Sequence, residues 1–351
     1  MKTINIIGAG PVGCYLAYLL VKKFKVNVYE EHNEVGKPVQ CTGIVTNEIN
    51  NVVNIPKEII VNKINQFTIH GNKKKINIIL KNPDLILDRE KLDKHFYKKA
   101  KKKGVTFFLE HRLIEIKKNK IILKNKNKRI EIKKGILIGA DGPNSIVSKY
   151  LKNKNKNFMG IQELINLKNN NDIEVFLKFG KFGWIVPENN KKCRKGIIAN
   201  QKNAKTIFNK FSKNRNKELQ AGLIPIYNSK EIFQKKSTYV VGDAASLVKA
   251  TTGGGIVQGL MSSKILANCL INNKNYKKGL KKVRKELWIH LIARKILDKL
   301  SSKDIDYLIK TLSKEKNKKI ISNIDRDNLK KVIIQLIIKE PKLLLLVPKT
   351  L

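Results

Sequence analysis

The apolar run Thr3-Ile-Asn-Ile-Ile7 passes directly into Gly8-Ala-Gly-Pro-Val-Gly13, and Cys14 to Lys23 then carry apolar side chains at helical spacing. Val26 and Val28 alternate into Glu30. A strand, a glycine turn, a helix and a second strand within about thirty residues begin a doubly wound sheet. Gly8 permits the tight turn, Gly10 lets backbone approach a pyrophosphate, and Gly13 lets the helix pack against the strand. The helix N-terminus favours the phosphate charge. Glu30 ends the second strand, where a carboxylate accepts hydrogen bonds from ribose hydroxyls. The unit predicts a dinucleotide site and leaves the choice between NAD and FAD open.

A second element lies more than two hundred residues away. Tyr239-Val-Val241 runs into Gly242-Asp-Ala-Ala245, and the triplet Gly253-Gly-Gly255 begins ten residues after Asp243. This reads as a buried strand that ends abruptly and presents one carboxylate, followed by a further run of bare backbone. A second carboxylate suits the ribityl polyol that FAD has and NAD lacks.

Between these elements, residues 64–80 read as paired strands around His70-Gly71-Asn72, and Asp88 to Lys103 as an amphipathic helix. Val105 to Lys133 alternates like a β-meander, and Gly135 to Ala140 returns to a buried strand. Short strands recur from about 158 to 235. Helix is expected from Val257 onward, with breaks near Asn273 and Lys316. The predicted fold class is therefore α/β: an FAD-binding doubly wound Rossmann-type domain, an inserted antiparallel β-sheet substrate domain and a helical C-terminal region. The expected boundaries are 1–157 and 236–272 for the FAD-binding domain, 158–235 for the substrate-binding region and 273–351 for the helical region. The tail, Val332-Ile-Ile-Gln-Leu-Ile-Ile338 and Leu343-Leu-Leu-Leu-Val347 around Pro341, reads as a core-packing helix or as a lipid-facing segment flanked by lysines.

The formal net charge is +45 over 351 residues, from 65 lysines and only 8 arginines. With abundant Asn and Ile this matches coding bias in an AT-rich genome. It also creates a positive field that favours an anionic partner, either nucleic acid or an acidic membrane face. Nucleic-acid recognition concentrates Arg and aromatics on one element; here the lysines are scattered, which points away from it. Cys14, Cys41, Cys193 and Cys269 have neither paired metal spacing nor a disulfide framework. The histidines lie far apart, so no metal site is expected. Lys2 leads straight into a strand, unlike a signal peptide, and no uninterrupted apolar stretch reaches about 18 residues. The chain reads as cytoplasmic, with peripheral contact at the inner face of the cell membrane left open.

The order Gly8–Gly13, Gly139-Ala-Asp-Gly142-Pro-Asn-Ser145 and Gly242-Asp-Ala-Ala245 resembles the flavoprotein monooxygenase-type superfamily, whose members bind FAD in an extended pose. Lys149 departs from the arginine usual after the middle motif, which should weaken a local ion pair. Three further segments resemble the geranylgeranyl reductase family, especially its archaeal digeranylgeranylglycerophospholipid reductases. They are Gly36-Lys-Pro-Val-Gln-Cys-Thr-Gly43, Leu87-Asp-Arg-Glu-Lys-Leu-Asp93 and Phe182-Gly-Trp-Ile-Val-Pro187. Phe182 and Val186 stand where that family more often has Tyr and Phe. The resemblance covers roughly residues 3–310.

That resemblance implies FAD contacts from Gly8, Gly10, Val12 (by backbone), Gly13, Glu30, Cys41, Thr42, Arg89, Leu113 (by backbone, beside the adenine), Asp243, Gly255 and Ile256. It places Cys41 against the isoalloxazine as the candidate catalytic residue, and Phe182, Trp184 and Pro187 as walls of a channel for an isoprenoid chain. The implied reaction is hydrogenation of isolated C=C bonds in geranylgeranyl chains, with hydride from the reduced flavin and a proton from Cys41 or an ordered water. The substrate would be an isoprenoid phospholipid or geranylgeranyl diphosphate. No second nucleotide motif is visible, so ferredoxin, a deazaflavin or NAD(P)H remain open as electron donor. The rival readings are an FAD-dependent hydroxylase of an apolar substrate, and a non-catalytic basic protein binding membrane or nucleic acid. A halogenase would resemble Trp-x-Trp-x-Ile-Pro at Phe182–Pro187, and an electron-transfer flavoprotein:quinone oxidoreductase commonly carries a cysteine-ligated cluster; this sequence fits neither.

Overall fold

The computed structural model describes residues 1–212, 219–324 and 327–347. From the N-terminus, β1 (Thr3–Ile7), α1 (Pro11–Leu20) and β2 (Lys25–Tyr29) are followed by β3 (Ile44–Val45), β4 (Ile60–His70) and β5 (Lys75–Leu87). Then come α2 (Arg89–Lys102), β6 (Thr106–Phe108), β7 (Arg112–Ile116), β8 (Lys120–Asn125), β9 (Lys128–Lys133), β10 (Ile136–Gly139) and α3 (Ile146–Tyr150). The second half holds β11 (Asn157–Asn166), β12 (Ile173–Phe176), β13 (Phe182–Pro187), β14 (Lys192–Asn200), α4 (Ala204–Phe211), β15 (Leu219–Pro225), β16 (Gln234–Lys235) and β17 (Thr238–Val240). It ends in α5 (Ile256–Ile271), α6 (Tyr276–Gly279), α7 (Lys281–Leu297), α8 (Ser302–Leu312), α9 (Glu315–Asn323), α10 (Leu329–Lys339) and a 3-10 turn over Pro341–Leu346.

The first sheet has the order β16-β17-β10-β1-β2-β6 and is parallel except for the edge pair β16–β17. Ile4, Asn5, Ile6 and Ile7 of β1 are all almost fully buried, as a strand covered on both faces requires. The one polar side chain inside β1, Asn5, is satisfied by donating to the carbonyls of Lys133 and Lys134 at 3.0 and 2.9 Å. Helix α2 starts because Asp88 accepts a hydrogen bond from the Lys91 N–H at 3.0 Å. Glu90 in its first turn and Lys99, Lys101 and Lys102 in its last complement the helix dipole.

The second sheet runs β15-β11-β14-β13-β12-β4-β5-β3, antiparallel except where β12 meets β4. It is not confined to 158–235, because β3, β4 and β5 supply three of its eight strands. Their long hairpin alternates cleanly, with Ile76, Ile78 and Leu80 inward and Lys75, Asn77 and Ile79 outward. The meander expected over 105–133 is shorter. Thr106–Phe108 pairs in parallel with β2, where the Phe108 ring stacks on Tyr29 at 4.9 Å, and only β7-β8-β9 form the separate sheet. The helical region also breaks where the sequence predicts no break, at Leu280, at Asp298–Ser301 and between Asn323 and Leu329. Ser301 and Asp304 form a reciprocal capping box that starts α8, a sequence signal masked by the surrounding lysines.

Candidate active site

Three turns meet at the C-terminal edge of the parallel sheet and face one cavity of about 1700 Å³. That exceeds the roughly 300–1,000 Å³ usual for one small ligand. After β1, Gly8 adopts φ +101°, and a Cβ there would lie 2.3 Å from the Ala140 carbonyl oxygen. At Gly10 a Cβ would meet nothing within 4 Å. This open space lies beside the first amides of α1, whose N-cap offers no side-chain hydrogen bond. Glu30 closes the same corner. Its Oε2 accepts from the Ala9 N–H at 2.7 Å, and its Oε1 accepts from the His32 N–H at 3.1 Å and meets His32 Nδ1 at 2.6 Å.

The loop from Gly36 to Gly43 forms the next wall. The Gly43 N–H donates to Cys41 Sγ at 3.3 Å, and Thr42 Oγ1 donates to Gln162 Oε1 at 2.6 Å. Gln162 donates onward to Gln220 Oε1 at 2.7 Å, which also accepts from Arg194 at 2.9 Å. The loop is thereby tied to three strands of the second sheet. Arg89, the first residue of α2, donates to both oxygens of Asp93 at 3.1 and 3.3 Å and touches the Cys41 thiol. Burial pulls its guanidinium down, but Asp93 and Cys41 outweigh that and hold it above its ordinary value. Its Nε is buried without a hydrogen-bond partner.

After β17 the chain turns through Gly242–Ala245, and Asp243 points into the cavity. No hydrogen bond to its carboxylate is found among the described residues. Burial pushes this carboxyl up from its ordinary value, and the Arg89 charge draws it part of the way back. A Cβ on Gly255 would lie 2.9 Å from Asp243 Oδ1 and 3.0 Å from Val248 Cγ2, so only glycine lets the two turns close on each other. Gly255 caps α5 without a side chain, leaving the first N–H groups of that helix facing the cavity.

Beyond these polar walls the cavity continues as an apolar chamber. Phe67, Ile76, Ile78, Ile173, Val175 and Val186 line it from the second sheet, and Ile292, Ile309, Ile333 and Ile337 from the C-terminal helices. Trp184 lies flat on β14 because Gly196 leaves room; a Cβ there would come within 2.4 Å of the indole. Its ring is 5.9 Å from that of Phe182, and its Nε1 has no hydrogen-bond partner.

Of the residues singled out in the sequence, Gly8, Gly10, Val12, Glu30, Cys41, Thr42, Arg89 and Leu113 share this cavity with Asp243, Gly255, Ile256, Phe182 and Trp184. Two stand apart. Gly13 sits one layer behind, where a Cβ would strike the Gly8 carbonyl oxygen at 2.1 Å. Pro187 lies on the opposite face of β13, because side chains alternate along a strand and 182, 184 and 186 take the chamber side. Lys149 lines the cavity, and no ion pair is found for it among the described residues.

Sequence reasoning missed a buried polar cluster beside the glycine triplet. Lys249 is ion-paired to Asp327 at 2.7 Å, and Asp327 also accepts from Gln258 at 2.6 Å and from Thr46. His290 meets Thr251 Oγ1 at 2.6 Å nearby; burial and the Lys249 charge push its imidazole down to about 3, so it is neutral. No spacing rule links positions 46, 249, 258, 290 and 327. The only signal was an isolated lysine inside the apolar stretch Ala244–Ala250.

The donor set fits FAD. Gly10 leaves space where a pyrophosphate belongs, Arg89 holds an orphaned donor, and Asp243 offers an unpartnered carboxylate to a polyol. The fold and site thus define a flavoprotein oxidoreductase with an FAD-binding Rossmann domain. The sequence profile of the NAD(P)-binding Rossmann-like domain matches residues 6–55. An uncharacterized protein of Methanocaldococcus jannaschii is 31% identical, covering 89% of this chain and 88% of its own. The digeranylgeranylglycerophospholipid reductase of the same organism is 26% identical over 97% of this chain and 96% of its own. A solved geranylgeranyl bacteriochlorophyll reductase-like protein from Thermoplasma acidophilum superposes with TM-score 0.83 at 20% identity, covering 98% of each chain. The flavin-dependent halogenase CmlS superposes at 0.68 with 14% identity, over 97% of this chain and 78% of its own, and shares the fold alone. Over nearly its whole length the chain is thus similar to archaeal digeranylgeranylglycerophospholipid reductases.

Proposed function

We propose that this protein is an FAD-dependent reductase that hydrogenates isolated C=C bonds of geranylgeranyl chains in isoprenoid ether lipids, acting peripherally at the inner face of the cell membrane. The observation that carries the reading is the continuity of the polar cofactor cleft with an apolar chamber walled in part by Trp184 and Phe182. A methylene buried in such a chamber contributes about 0.8 kcal/mol, so a polyisoprenoid is held without polar anchors.

In this reading Gly10 and the first amides of α1 receive the pyrophosphate, Glu30 the ribose, Asp243 the ribityl chain, and the first turn of α5 the flavin ring. FAD, when bound and reduced, supplies the hydride. The residues of this chain position the alkene, exclude water and move one proton. Cys41 Sγ gives its proton to the second alkene carbon, and the thiolate left behind is stabilised by the Arg89 guanidinium and the Gly43 N–H. Water restores the thiol, so one hydride and one proton saturate one double bond. Because an isolated alkene offers little polarity to grip, alignment by the chamber supplies most of the selectivity.

The experiment is mass spectrometry of lipids from cells expressing this protein together with an ether-lipid pathway. Mass gains of two hydrogens per step support the reading. Addition of oxygen would replace it with a hydroxylase, and a colourless preparation without FAD would remove the enzyme altogether.

A further inference from the structure

We propose that the segment Leu329–Val347 is the surface by which this protein rests on an anionic lipid bilayer, and that the chamber takes its substrate chain directly from that bilayer. The proposal rests on the lipid reading above and names where the lipid enters. Helix α10 is apolar on three sides. Val332 and Leu336 are buried against Ile324, and Ile333 and Ile337 line the chamber. Ile334 and Ile338 are 46% and 68% exposed. At about 100° per residue, those two exposed isoleucines share one helix face with Lys330 and Lys331.

The chain turns at Pro341 and exposes a second apolar group. Leu345 is 82% exposed, and Leu344 (51%) and Val347 (37%) are both exposed and part of the chamber wall. The outer ridge and the chamber are therefore one continuous apolar surface. Trp288, 49% exposed, also lines the cavity, and a half-exposed indole suits a boundary between hydrocarbon and water.

Charge decides the partner. The one acidic residue of this segment, Glu340, is already neutralised by Lys314 and Lys316, and Asp327 just before it is paired with Lys249. Lys330, Lys331, Lys339 and Lys342 are exposed and form no ion pair among the described residues. A second copy of the chain would bring these lysines against themselves, whereas an anionic headgroup layer complements them while the isoleucines and leucines enter the acyl boundary. With 11 residues, α10 is too short to cross a bilayer and would lie in its plane.

The test is co-sedimentation of the full, FAD-loaded chain with phosphatidylglycerol vesicles and with phosphatidylcholine vesicles. Binding is expected to the former and to weaken with salt. Ile338→Ser with Leu345→Ser, neither of which lines the chamber, should weaken binding at least about ten-fold. Lys330→Gln with Lys331→Gln should weaken it roughly 25-fold, at about five-fold per lysine. Thermal melts identical to the parent's would show that these exposed substitutions leave the fold intact. Hydrogenation of a detergent-solubilised geranylgeranyl lipid should persist in both variants while hydrogenation in vesicles falls. If vesicle binding ignores all four substitutions, or if they instead dissociate a dimer in sedimentation, the surface is overturned. If binding responds as expected but no lipid is hydrogenated even in detergent, the docking surface stands and the reductase reading fails.

Discussion

Asp243 should cost the empty protein stability and repay it only when FAD is bound. Its carboxylate faces the cavity with no hydrogen bond among the described residues, and burial raises it above its ordinary value. For an acid raised on folding, the native state binds more protons than the unfolded one, so stability falls as pH rises through the native pKa. Removing such a partly buried, unpartnered polar group relieves at most about 1–3 kcal/mol. Asp243→Ala should therefore stabilise the flavin-free protein by that order, a rise in Tm of roughly 2–4 °C, and flatten the pH dependence of that Tm between acid and neutral. The same substitution removes a charge-assisted hydrogen bond to the ribityl hydroxyls, at about 1.5–3 kcal/mol, which weakens FAD binding roughly 10- to 150-fold. Thermal melts with and without FAD at two pH values, with flavin fluorescence titration, read both arms. A variant that binds FAD within about two-fold of the parent, or an apoprotein that loses stability, would refute the assignment of Asp243 to the cofactor.

Cys41→Ala should lower kcat by about 10²–10⁴ while FAD stays bound; full turnover in that variant removes the proton from Cys41. Gly196→Ala, which brings a Cβ within 2.4 Å of Trp184, should push the indole into the chamber and raise KM for long isoprenoid chains more than for short ones, read by steady-state kinetics across chain lengths. Asp327 is held down to about 2: burial alone would raise it, but the Lys249 ion pair and the bonds from Lys249, Thr46 and Gln258 outweigh that. Lowering it from its ordinary 3.8 stabilises the fold by roughly 2 kcal/mol, a contribution complete above pH ~4 and lost as pH falls towards 2. Asp327→Asn should abolish that part of the acid sensitivity in urea unfolding at pH 3 and pH 7.

What the sequence made legible was local. Gly8 to Glu30 and Gly242 to Gly255 declare themselves because backbone geometry and ligand approach restrict residue choice over a few consecutive positions. The same holds for Asp88, whose cap places Arg89 at the cavity wall. What could not be read depends on contacts between distant segments. Thr106–Phe108 alternates like any strand, and its parallel ladder with the distant β2, with Phe108 stacked on Tyr29, places it in the parallel sheet. Pro187 looked like part of a motif, yet strand alternation turns it from the chamber its neighbours Trp184 and Val186 line. The Lys249–Asp327 pair joins residues 78 apart that carry no mutual signal.

That pair also links the two chemistries of the cavity. Lys249 belongs to the turn that ends in Gly253–Gly255, since its carbonyl accepts from the Gly253 N–H at 2.8 Å and its own N–H donates to the Gly254 carbonyl at 3.0 Å. Asp327 precedes α10, whose N-terminus is held from the other side by Glu286 of α7. The glycine turn proposed to face the cofactor is thus fixed, through one buried ion pair, to the helix that walls the chamber and carries the exposed lysines. Breaking a buried pair from one side costs about 3–5 kcal/mol because a charge is left uncompensated, whereas replacing both partners by apolar side chains is often close to neutral. Lys249→Met alone should therefore loosen both the glycine turn and α10. Lys249→Met with Asp327→Leu should recover global stability, and any loss of turnover that remains in the double variant measures what the pair does for alignment. Turnover restored in full along with stability would mean that the ion pair holds the fold and has no part in positioning the alkene.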